Sequence, residues 1–213
     1  MTHYEKVKET ISGKAQLCVV SKYRTHEQIM HYYDLGQRIF AENHAQELLQ
    51  KTDLPKDIQW HFIGHLQKNK VRMVLPYLSC IQSLDSIALA QTINQECIRL
   101  NRTMDAYAEF HLADEDMNKT GLHAADADSF FDACRQYSHI HLCGIMVMGP
   151  HTADEARIKA VFNEAHDLYL HLEKKYGIQV LSMGMSSDYP LALTCGSNMV
   201  RIGTYLFEGE ERL

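Results

Sequence analysis

The sequence predicts an α/β protein with a (β/α)8 TIM-barrel fold, built as a single domain over residues 1–213. Three observations point to it. Short apolar or β-branched runs alternate eight times with longer segments of helical period. Eight such units in 213 residues match the compact end of the barrel size range. With 46% hydrophobic residues, the chain can fill one sizeable core. An open doubly wound sheet is the competitor. Eight regular units favour closure, and no Gly-x-Gly-x-x-Gly follows the first strand.

A helix over residues 4–12 comes first and is expected to plug or cover one end of the barrel. The first strand is read at 16–21. Thr25 is then a natural N-cap, with Gln28 three residues on in the capping-box position, and Gly36 stops that helix. The second strand is 38–41, with a helix over 45–51. The third is 59–63, with a helix over 67–75 that ends before Pro76. The fourth is 79–82, after which Asp85 and Ser86 offer caps for a helix reaching Leu100. The fifth strand, 105–112, is followed by a helix over 124–136. The sixth, 139–146, precedes a long helix over 153–176 that stops at Gly177. The seventh, 179–183, and a short helix over 190–195 lead to the eighth strand, 198–202. A last short helix starts near Thr204.

Composition removes several function classes. The formal net charge is −6 and the Lys and Arg residues are scattered, so nothing supports nucleic-acid binding. Arg99 and Arg102 read as a solvated helix end. The six cysteines form no Cys-x-x-Cys pair and several sit in apolar runs, which predicts buried free thiols in a reducing compartment. Residues 1–6 lack the apolar stretch of a signal peptide. No run approaches the roughly 20 apolar residues of a membrane span. A cytoplasmic protein without membrane contact is expected. There are 13 histidines. His139 and His141 alternate, and His166 and His171 share a helical pattern. Neither pair belongs to an H-E-x-x-H or Cys/His constellation, so no native metal site is expected.

In this fold, chemistry sits at the C-terminal ends of the strands. Lys22 follows the first strand and is expected to point inward at the barrel mouth. Burial there would disfavour the ammonium and free the amine to attack a carbonyl. The bland alternative is one of 12 lysines in a surface loop. Gly184-Met185-Ser186 and Gly203-Thr204 follow the seventh and eighth strands, where barrels of this kind commonly hold phosphate. Turn-forming glycines are the alternative for either cluster alone. Arg201 shares a strand face with Gly203 and would point inward near that site. Pairing with a core carboxylate is the alternative.

At these residues the sequence resembles the pyridoxal phosphate homeostasis protein family. The matching segments are Val19-Val20-Ser21-Lys22, Phe40-Ala41-Glu42-Asn43, the run from Trp60 to Lys70, and Gln82-Ser83-Leu84-Asp85. Asn118-Lys119-Thr120-Gly121, Gly144-Ile145-Met146, the run from Leu181 to Ser186 and the run from Met199 to Thr204 complete the set. The resemblance implies a fold-type III barrel that carries pyridoxal 5′-phosphate (PLP), the vitamin B6 coenzyme, as a Schiff base on Lys22. It places Ser186, Gly203 and Thr204 around the phosphate and Arg201 opposite the pyridine nitrogen. Asn43 and His61 match positions near the cofactor. An arginine there keeps the ring nitrogen unprotonated and weakens the ring as an electron sink. Lys68, Lys70 and Lys119 are candidates for a second cofactor site, though solvated helix positions explain them as well. Two departures stand out. Only 21 residues precede Lys22, so a shorter N-terminal cover is expected. His44 replaces the family's usual tyrosine.

Two functions compete. The first is a non-catalytic carrier, monomeric or a weak homodimer, that buffers PLP and delivers it to PLP-dependent apo-enzymes. The alternative is an enzyme resembling an amino-acid racemase. Racemases of this class add a second domain and a tyrosine acid/base. Two-sided proton transfer needs a group on each face, and the sequence offers only Lys22. The carrier is therefore the expected function. A sugar-phosphate enzyme would keep the phosphate site and leave Lys22 unexplained.

Overall fold

The computed structural model describes residues 1–113 and 121–208. Eight parallel strands close into a barrel in the order β1-β2-β3-β4-β5-β6-β7-β8. They are β1 (Gln16–Val20), β2 (Ile39–Glu42), β3 (Gln59–Phe62), β4 (Leu78–Leu84), β5 (Met104–Phe110), β6 (Ile140–Val147), β7 (Val180–Ser182) and β8 (Met199–Ile202). The helices are α1 (His3–Ile11), α2 (His26–Asp34), α3 (Ala45–Leu49), α4 (Lys68–Val74), α5 (Ile87–Arg99), α6 (Ala127–Cys134), α7 (Glu155–Tyr176), α8 (Tyr189–Thr194) and α9 (Thr204–Phe207). The barrel read from the sequence is the one observed.

Local chemistry starts and stops these helices. Thr25 caps α2 and forms the anticipated capping box with Gln28. Ser86 caps α5, accepting the Leu89 N–H. Gly177 ends α7 at φ 74°, a left-handed conformation that glycine adopts without steric penalty. Asp154 caps the other end of α7, accepting the Ala156 and Arg157 N–H groups.

The burial divides into two layers. The outer one joins the helices to the outward strand faces and includes Phe40, Phe62, Phe110, Phe162 and Leu181. The inner one fills the barrel with Cys18, Val20, Ala41, Cys80, Tyr107, Cys143, Met146 and Met199. All six cysteines are free and buried. No helix among the described residues is long and apolar enough to cross a membrane.

One expectation fails. α1 does not plug the barrel. Its buried residues, Tyr4, Val7 and Ile11, belong to the outer layer. Tyr4 packs on Tyr32 of α2, and His3 stacks on Tyr205 of α9 with ring centroids 4.2 Å apart. An amphipathic helix with one apolar stripe is satisfied against the outside of the barrel. Lys119 lies outside the described residues.

Phe162 is fully buried in α7, with its ring against Gly149. Phe162→Ala is expected to destabilise the fold by about 3–5 kcal/mol, read as a shift in the urea unfolding midpoint.

Candidate functional site

β1 sets the position of Lys22. Cys18 and Val20 face the barrel interior, and alternation along the strand carries that face to Lys22. The ladder continues one residue past β1, where the Ser21 N–H donates to the Ala41 carbonyl at 3.0 Å. The chain then turns, with Tyr23 at φ 61°. Lys22 is therefore at the rim and exposed. The expected burial is corrected: the strand ends too early to take the side chain inside.

The peptides on both sides of Lys22 are clamped. The Lys51 ammonium donates to the Ser21 carbonyl at 2.8 Å and to Glu42 Oε1 at 2.6 Å. The Ser21 hydroxyl donates to the same Glu42 oxygen at 2.7 Å. On the far side, the Tyr23 N–H donates to Glu47 Oε2 at 2.7 Å, and Glu47 lies 3.7 Å from Lys51. Glu42 and Lys51 are both buried. Burial pushes the Glu42 carboxyl upward, against the hydrogen bonds from Lys51 and Ser21. The His44 ring lies 6.2 Å from that of Tyr23, so the substituted position still makes an aromatic contact beside Lys22. Lys51 escaped the sequence reading because it lies outside every motif and reaches the strand end only after α3 folds back.

The glycine loops converge on the same rim. Ile202 pairs with Val19, and a Cβ on Gly203 would stand 2.8 Å from the Val20 carbonyl. A side chain there would force β8 away from the lysine strand. The Ser186 hydroxyl accepts the Tyr205 N–H at 3.2 Å, tying the β7 loop to α9. The Arg201 N–H donates to the Gly184 carbonyl at 2.9 Å. Lys22, Ser186, Gly203 and Thr204 thus gather where β7, β8 and β1 meet. Asn43 closes the rim at the end of β2. Its Oδ1 is buried without a partner among the described residues.

Beneath the rim runs a hydrogen-bonded chain. Arg201 is buried and donates to the Ser182 carbonyl and hydroxyl, both at 2.8 Å, and to the Val147 carbonyl at 3.0 Å. The Ser182 hydroxyl donates to Gln82 Oε1 at 2.7 Å, and Gln82 Nε2 lies 2.8 Å from His61 Nδ1. With Gln82 so oriented, Nδ1 accepts and the His61 proton sits on Nε2. Burial lowers His61 to about 4, so the ring is neutral. His61 thus braces the floor of the site, a layer below the rim. Arg201 is hydrogen-bonded to neutral acceptors, with the carboxyl groups of Asp188 and Glu109 near enough to favour its charge. Glu109 on β5 is buried, and its Oε2 has no partner among the described residues. Burial and the nearby Asp85 push it up to about 7, against the pull of Arg201. The sequence reading gave no role to Glu109, Gln82 or Ser182, although Gln82 and Ser182 lie in segments that carry the family resemblance. Of the second-site lysines, Lys70 lines a cleft of about 450 Å³ with Asn43, His44, His65 and Gln67, whereas Lys68 is exposed.

Comparison with known proteins bears on the family and the fold. The family described as alanine racemase, N-terminal domain, matches residues 2–211. A pyridoxal phosphate homeostasis protein of Helicobacter pylori is 35% identical over 216 residues, covering 98% of this chain and 95% of its own. PipY of Synechococcus elongatus, in a structure with PLP bound, superposes with a TM-score of 0.88 at 32% identity, covering 96% of this chain and 98% of its own. The PLP-free PipY structure gives a TM-score of 0.90 at 34% identity.

Two outcomes are expected. Lys51→Met leaves Glu42 buried without its cation and should cost about 3–5 kcal/mol of unfolding free energy, measured by chemical denaturation. Glu109, raised in the folded state, contributes stability at low pH that is lost as pH rises from its unfolded value toward 7. Glu109→Gln should therefore gain relative to wild type between pH 5 and pH 8, by up to about 3 kcal/mol. His61 is lowered and acts with the opposite sign in both proteins, so the difference between the two curves isolates Glu109.

Proposed function

Because the chain belongs to the pyridoxal phosphate homeostasis protein family, built on the alanine racemase N-terminal domain fold, we propose that it holds PLP at this rim and buffers or delivers it without strong catalysis. The observation that carries the reading is the exposure of Lys22 beside the Ser186 and Gly203-Thr204 loops.

The donor set suits the coenzyme. A primary amine, a buried guanidinium, two hydroxyls and the backbone N–H groups of two short loops meet at one end of the barrel. The Asn43 oxygen, without a partner among the described residues, adds an acceptor. When bound, PLP supplies an aldehyde that the Lys22 amine takes as a Schiff base. Ser186, Gly203 and Thr204 hold the phosphate, and Asn43 borders the ring. Arg201 donates toward the pyridine nitrogen, which leaves that nitrogen unprotonated and limits carbanion chemistry. His61 acts from below by holding Gln82, Ser182 and Arg201 in place. The Glu42, Glu47 and Lys51 clamp fixes the backbone from which Lys22 projects.

Exposure of Lys22 favours a carrier. Among the described residues nothing buries Lys22, so an incoming amine or water can reach it and the cofactor can leave toward PLP-dependent apo-enzymes. An enzyme gains more from a closed, dry site. A cytoplasmic location fits this role, because the recipients work there.

The test is the visible spectrum of the purified protein beside Lys22→Ala. The wild type is expected to be yellow with PLP, to fix the cofactor on Lys22 after borohydride reduction, and to activate an added apo-enzyme. Lys22→Ala should lack the band. A protein that stays colourless with added PLP would overturn the proposal. Retention of PLP beside apo-enzyme would remove delivery, and interconversion of amino-acid enantiomers would favour the racemase-like alternative.

A further inference from the structure

At the end of the barrel opposite Lys22, β5 and β6 carry donors that the cofactor reading leaves unused. Asp105 and His141 are paired in register, with His141 Nδ1 2.8 Å from Asp105 Oδ1. Cys143 follows two residues after His141. Ligand atoms of these three side chains all lie within 4.8 Å of one another. Cys80, buried on β4, pairs with Asp105 and lies behind them.

The backbone shapes this cluster. The β5–β6 register shifts after Ala106 and Leu142, so that Tyr107 meets Gly144 and Cys143 is the extra residue of a bulge. The bulge leaves Cys143 in the inner layer, beside His141. Gly144 is required here. A Cβ on it would stand 2.7 Å from the Val180 carbonyl and 2.9 Å from the Tyr107 ring. The result is graded in exposure. Asp105 and His141 are 55% and 61% exposed, whereas Cys143 is only 8% exposed. The thiol forms the floor of a cup whose wall is carboxylate and imidazole. Its only hydrogen-bond contact among the described residues is a weak one, 3.8 Å from the Ala106 carbonyl.

We propose that Asp105, His141 and Cys143 form a binding site for a borderline divalent metal ion of the zinc type at the N-terminal mouth of the barrel. One oxygen, one imidazole nitrogen and one sulfur make a three-ligand tetrahedral set with a fourth position open to water. The sulfur and nitrogen donors select against calcium and magnesium, which take oxygen ligands. Binding breaks the Cys143 S–H bond, forms a sulfur–metal bond and releases the proton to solvent. The carboxylate and thiolate together balance the divalent charge. This site departs from the sequence expectation of no metal, because Asp105 joins His141 and Cys143 only through the β5–β6 register, which residue spacing does not show. It does not rest on PLP binding.

The test is titration of the whole protein with Co²⁺, followed by its tetrahedral d–d bands in the red, away from PLP absorbance, and by thiolate-to-metal charge transfer in Lys22→Ala. Saturation at one equivalent is expected, with reversal by Zn²⁺. The charge-transfer band should be lost in Cys143→Ser, and one-equivalent saturation lost in His141→Ala, a change at an exposed position. Absence of a saturating band, or a spectrum unchanged in both variants, would overturn the proposal and assign the cobalt to scattered surface histidines.

Discussion

The pairing of β8 with β1 is the contact on which the rest of the molecule depends. Cys18 lies opposite Arg201 and Val19 opposite Ile202. That register closes the sheet, and closure gives the barrel a sealed interior. It also brings the lysine strand, near one end of the sequence, beside the glycine loop near the other. Gly203 makes the approach sterically possible, since any side chain would strike the Val20 carbonyl. Without this one register, Lys22 and the loops would belong to different surfaces.

Much of this was legible in advance. A parallel strand buried on both faces reads as an apolar run, so eight strands were countable, with edges off by one or two residues. β4 runs Leu78–Leu84 where 79–82 was expected, and β7 is only Val180–Ser182 where 179–183 was expected. The Thr25–Gln28 box and the Gly177 stop were legible because they are local. Arg201 was placed inward by strand alternation alone. What stayed hidden was tertiary. The apolar stripe of α1 shows that one side is buried, not against what. The exposure of Lys22 depends on where the last ladder bond falls. The partners of Arg201, Ser182 and the Val147 carbonyl, come from strands whose relative height is set by barrel stagger. The reach of Lys51 to Ser21 depends on the path of α3.

The interior is not uniform along its axis. Thiols, small residues and Tyr107 fill the lower part, a polar chain crosses above them, and the open rim lies on top. The polar layer is well satisfied for buried groups, which suits a cross-brace. Among the described residues four buried oxygens are left over, on Glu42, Asn43, Ser83 and Glu109. The thiol-rich lower part accommodates a bulge in β6 without exposing apolar surface to the rim. The two mouths can therefore differ in chemistry while sharing one set of strands.

The brace from Arg201 to His61 has a direction. Arginine can only donate, the Ser182 hydroxyl donates to Gln82 Oε1, and the Gln82 amide points its N–H groups at His61 Nδ1. Protonating His61 would set two donors face to face. Turning the Gln82 amide over would relieve that clash but would take away the acceptor of the Ser182 O–H. Acid strong enough to protonate His61 would thus loosen the crossbeam under the site, and the guanidinium would lose its fixed bearing.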